Sequence, residues 1–158
     1  MNNKIYINGR FLTQNMTGVQ RVAYQVSKSL KLFYKEELIF LCPPEKIKEA
    51  YKEQFYIITV GTKKGHLWEQ IDLPLFLKKN KATILVNFCN TAPIFFSNNI
   101  VVIHDMAVKH NSAWFDWKFS TVYKLLFHFN IKHAKKIITD SVFSKNEILK
   151  FYPKTNKE

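Results

Sequence analysis

Six short runs of aliphatic and β-branched residues, with little polar alternation, punctuate the chain at residues 4–7, 38–42, 55–60, 83–88, 100–104 and 136–139. The clearest is Ile100-Val101-Val102-Ile103, which ends abruptly in His104-Asp105. Such a run predicts a strand covered on both faces, as in a parallel sheet sheathed by helices. Between the runs the period becomes helical. Val19, Val22, Ala23, Val26 and Leu30 predict a helix over 18–34 with one apolar face, begun by a capping box of Thr17 and Gln20. Phe11 to Met16 before it reads as loop. Further helices are expected over 45–54 after Pro43-Pro44, over 66–77 with a bend or restart at Pro74, and over 113–135. In the last of these, Trp117 falls among the lysines by helical angle. A final helix is expected from near Ser144, where Ser144 and Glu147 have capping-box spacing, to Tyr152-Pro153.

The resulting order, β-α-β-α-β-α-β-β-α-β-α, predicts an α/β domain with a doubly wound, mostly parallel, Rossmann-like sheet. It occupies residues 1–153, and 154–158 read as a frayed tail. In such sheets ligands bind beyond the carboxyl ends of the strands, which is where His104 and Asp105 stand.

Composition refines this picture. A length of 158 residues with 47% hydrophobic content suits one ordinary domain and excludes disorder as the main state. The formal charge of +12 comes from twenty-two lysines against only Arg10 and Arg21. That shortage of guanidinium forks counts against nucleic acid as partner, and leaves a diffuse lysine surface able to attract anionic headgroups or phosphorylated substrates. Cys42 and Cys89 have no CxxC partner and read as buried thiols of a cytoplasmic protein. No run reaches the roughly 18–20 apolar residues a spanning helix needs, so any membrane attachment is expected to be peripheral, on the inner face.

Chemical motifs are sparse. His66, His104, His110, His128 and His133 lack the spacing of a metal site, and neither GxSxG nor a Walker-type GK[ST] occurs. A strand, a loop and Gly18 at a helix start have the local order of an anion-binding turn, although a glycine that merely permits a turn is commoner. Trp68 beside Glu69 suits either a sugar-stacking ring next to a carboxylate or, more often, an indole packed on the sheet.

Four stretches together carry a family resemblance: Ile5 to Leu12 leading to Thr17-Gly18-Val19-Gln20-Arg21; Leu67-Trp68-Glu69-Gln70 with Leu73-Pro74; Val101 to Asp105; and Ile137 to Lys145. In this order the chain resembles the N-terminal domain of GT-B glycosyltransferases, specifically the retaining group called family 4. The resemblance implies an acceptor-side domain that faces a donor-binding domain across a cleft, supplied in cis or trans, and that serves a glycan or lipid-linked acceptor. No cofactor or metal is implied beyond a nucleotide-sugar co-substrate. It places Gly18 toward the donor diphosphate and His104, as the catalytic candidate, near the reacting sugar. Asn8, Arg10, Arg21, Trp68, Asp105 and Ser141 become candidate substrate contacts. Asp140 departs from the apolar residue expected before that serine. The donor domain of such enzymes has no counterpart in these residues, so the chain alone is expected to be inactive. The alternative reading is a non-catalytic Rossmann-like binding module or a split-enzyme subunit.

Overall fold

The first apolar run forms strand β1 (Ile5–Asn8), followed by a 3-10 turn (Gly9–Thr13) and helix α1 (Gly18–Tyr34). In the computed structural model, which describes residues 4–106, 117–153 and 155, the chain continues through β2 (Leu38–Cys42), α2 (Glu49–Gln54) and β3 (Ile57–Thr59). Two short helices follow, α3 (Gly65–Gln70) and α4 (Asp72–Lys79), and then β4 (Leu85–Asn87). Strand β5 (Asn99–Val102), helix α5 (Trp117–His133), strand β6 (Lys136–Ile138) and helix α6 (Val142–Phe151) complete the order.

All six strands are parallel and lie in the order β3-β2-β1-β4-β5-β6. This is a Rossmann-like α/β fold. The register assigns the faces. Tyr6 pairs with Ile39 on one side and Leu85 on the other, and Leu85 pairs with Asn99, so alternate residues of these strands share a face. Tyr6, Ile39, Leu41 and Leu85 pack on Trp68, Leu73 and Leu77 of α3 and α4. On the same face Val101 and Ile103 pack on Phe127 and Ile131 of α5 and Ile148 of α6. The opposite face carries Ile7, Phe40 and Cys42 against Ala23 of α1 and Tyr51 of α2.

Several local expectations are corrected by packing. The segment after β1 is a 3-10 turn instead of open loop, because Phe11 and Leu12 are buried and pull it onto the sheet. α1 has the expected ends, and Ala23 and Leu30 of the expected stripe pack on the core; Ser27 is buried beside them, whereas Val22 and Val26 are about two-fifths exposed. Small residues there let the helix approach the sheet closely, which rotates the valines outward. α2 starts at Glu49, four residues after the expected start. The expected restart is present but falls at Ile71, three residues before Pro74, which sits in the first turn of α4, where it forfeits no helical hydrogen bond. The last helix starts at Val142, and its cap is Ser141, whose Oγ accepts from the Ser144 N–H at 3.0 Å. Residues 113–116 and the side chain of Trp117 lie outside what the structure describes.

Candidate functional site

Strands β1 and β4 are neighbours whose connections leave in opposite directions, so their carboxyl ends form the topological switch point, the place of the ligand crevice in sheets of this kind. Each apolar run ends there in an asparagine on the α3 face. Asn8 Nδ2 donates to Asn87 Oδ1 at 3.1 Å, which ties the two strands at the floor of the crevice. The same Nδ2 donates to Glu69 Oε2 at 3.0 Å, and Asn8 Oδ1 accepts from the Arg10 N–H. Asn87 Nδ2 donates in turn to Ile100 O on β5.

Glu69 is the centre of this network. Its carboxylate is 1% exposed, stands 3.2 Å from Arg10 Nε, and accepts from Gln70. Arg10, itself buried, also donates to Thr91 Oγ1 at 3.5 Å. His66 Nδ1 lies 3.5 Å from Glu69 Oε1, within ion-pair reach, and the His66 ring meets the edge of Tyr123 from α5 at 5.2 Å. Burial pushes the Glu69 carboxyl up, but the Arg10 charge, then His66, outweigh it and hold the group at about 2. A carboxyl so acidic does not trade protons near neutrality; it fixes the directions of Arg10 and Asn8. Burial pushes the Cys89 thiol to about 12 and raises the Tyr123 phenol, with Arg10 opposing in both. Cys89 is therefore no nucleophile at neutral pH.

A second arm of the rim is built on His104. Its Nε2 bonds Phe88 O at 2.8 Å and its Nδ1 bonds Asp140 Oδ2 at 2.9 Å. Both ring nitrogens are thus engaged by protein oxygens, which fixes the orientation of the ring. The His104 N–H donates to Asn90 Oδ1, and His104 O accepts from Ser144 Oγ at 2.6 Å. Asn90 adopts a positive φ of 64°, which an asparagine tolerates, so the loop after β4 can fold back against β5. One residue thus staples the ends of β4, β5 and β6 and the start of α6. Its side chain is 8% exposed, whereas Asp140 is 50% exposed.

The other expected residues divide. Gly18 stands exposed at the start of α1, with nothing within 4 Å of where a Cβ would be. Gln20 Oε1 accepts from the Thr17 N–H, the reach-back expected of the capping box. Arg21 is exposed one turn on, and Asp105 is exposed beyond β5. Ser141 is a helix cap on the rim. Trp68 corrects the sugar-stacking option: it is fully buried, and its indole N–H donates to Val60 O at 2.8 Å, so neither ring face is open.

Sequence reasoning noted Glu69 only as a carboxylate beside Trp68, and Asn87 and Thr91 only as part of a polar loop before Pro93; it did not join them to Asn8 and Arg10. The available signal was polar: two strands closing on asparagine, and a glutamate next to a tryptophan that had to be inside. Among the described residues, no group of three His, Cys, Asp or Glu side chains could hold a metal ion. Comparison with family models, curated proteins and solved structures finds no match. The class that the structure defines is therefore that of the fold, a Rossmann-like α/β domain, with a buried polar network at its switch point.

Proposed function

We propose that this domain is the acceptor-side half of a retaining glycosyltransferase, moving a sugar from a nucleotide-sugar donor to a glycan or lipid-linked acceptor with a donor-binding domain in cis or trans. One observation carries the reading. The four stretches that bear the resemblance are distant in sequence yet joined in pairs on one rim: Asn8 and Arg10 bond Glu69, and His104 bonds Asp140. In this reading the buried network of Arg10, Asn8 and Glu69 holds rigid the rim on which an acceptor sits. His104 contacts the donor sugar by exchanging half-exposed Asp140 for a sugar hydroxyl. Rigid placement of this kind lowers the barrier by orientation, and the imidazole next to the reacting sugar serves through its hydrogen bonds to hydroxyls. Gly18 leaves room at the start of α1 for a diphosphate to approach the helix amides.

The test is an amide chemical-shift titration of the 158-residue chain with short alkyl glycosides. Shifts gathered at Arg10, Gly18, Thr91 and His104 are expected, with no measurable turnover of nucleotide sugars by this chain alone. Shifts confined to the opposite end of the sheet, or none at any glycoside, would remove the proposal.

A further inference from the structure

In a parallel sheet the crossover helices finish where the strands begin, so α1, α4 and α5 all run out on one edge, opposite the crevice. What they carry there is unusual. α1 ends in Leu32 and Phe33, which are 77% and 79% exposed, and Tyr56 at the entry to β3 is 57% exposed. Lys31 Nζ donates to Gln54 O, which binds the end of α1 to the approach of β3. The shallow groove between them is lined by Lys28, Lys31 and Lys35.

At the far side of the same edge, a groove of about 880 Å³ separates the end of α5, strand β6 and the end of α6. Lys132, Lys135 and Lys136 line it over Ile131, Ile137 and Phe151, and among the described residues no acidic side chain does. Exposed Lys78, Lys79 and Lys81 at the end of α4 stand at the entry of central β4. The opposing acids there include Glu36 and Glu37, in the turn after α1. Helix dipoles favour a lysine or two at each C-terminus. They give no reason for two large apolar side chains held in water beside them.

We propose that this edge docks on an anionic lipid bilayer, with Leu32 and Phe33 entering the interface and the lysines meeting the headgroup phosphates. The cations are ammonium groups spread across three helix ends, which matches a plane of phosphates better than a single strand or peptide. Arg10 and Arg21, the only guanidinium groups, stand away from this edge, so the fork that grips nucleic acid is missing from it. A second copy of the chain would set lysines against lysines. Docked this way, the crevice opens away from the membrane.

The experiment is flotation of the whole chain with vesicles of phosphatidylcholine alone, or with about 30 mol% phosphatidylglycerol. Binding is expected only to the anionic vesicles and is released by about 0.5 M salt. A Phe33→Trp variant should show blue-shifted emission on those vesicles. Leu32→Ser with Phe33→Ser, at exposed positions that folding does not need, should weaken binding about tenfold or more. Lys31→Glu with Lys35→Glu should weaken it about 25-fold, near fivefold for each lysine lost. Absence from the anionic vesicle fraction overturns the proposal. So does unshifted tryptophan emission with the serine variant binding as before and a single-stranded oligonucleotide competing equally, which would be polyanion attraction only. A dimer in sedimentation that the serine variant abolishes would give the patch to a second copy and also overturn it.

Discussion

Glu69 shows how a single buried charge organises a rim. Removing it from water is costly, and its carboxylate stays ionised because the Arg10 charge, then His66, outweigh that cost, while Asn8 and Gln70 donate to it. Its native value of about 2 lies below the ordinary 4.5, so ionisation stabilises the fold above pH 4.5, and that stabilisation disappears as pH falls toward 2. The difference amounts to about 3 kcal/mol. Urea midpoints of the wild-type chain should therefore fall across that window, and those of Glu69→Gln should be flatter there. At neutral pH the same substitution strands the Arg10 guanidinium in the interior and should cost about 3–5 kcal/mol, read from the same denaturation curves. The local pattern noted Glu69 only as a carboxylate beside Trp68 and not as a buried centre, because burial is a property of the whole packing. Its neighbour Trp68 had to be inside, but a helix position one residue on is ordinarily turned 100° away.

At the level of elements, two glycines have opposite meanings. A Cβ on Gly9 would stand 2.5 Å from Cys42 Sγ and 2.9 Å from Leu41 O, because the turn after β1 lies against β2. Gly9→Ala should thus destabilise the domain by about 1–3 kcal/mol in thermal or chemical melts. Gly18 meets no such limit, and Gly18→Ala should stay within about 0.5 kcal/mol of wild type. A change in glycoside or nucleotide affinity in Gly18→Ala then reports on the site alone. The limits of α1 were legible because Thr17, Gln20 and the apolar period all agree. Its inward face was legible in part: Ala23 and Leu30 pack on the core as expected, but Val22 and Val26 give way to Ser27, which wins by size instead of hydrophobicity. The start of α6 was misread by two residues for a similar reason: Ser141 and Ser144 are both adequate caps, and the bond from Ser144 to His104 O settles which one is used.

For the whole molecule, topology was the most legible quantity. Apolar runs alternating with helical periods leave few arrangements once crossovers are right-handed, and the six-stranded parallel sheet follows. Less legible was which polar residues would meet across it. Asn8 and Asn87 are 79 positions apart and touch only because β4 returns beside β1. The two outermost strands, β3 and β6, have three residues each, and β6 opens with Lys136. Margins that short present too few free amides to template a newcomer, and a charge at one of them discourages stacking. Crowded chains are thereby steered away from cross-β fibrils, a safeguard that lies in brevity at the borders and asks nothing of the crevice.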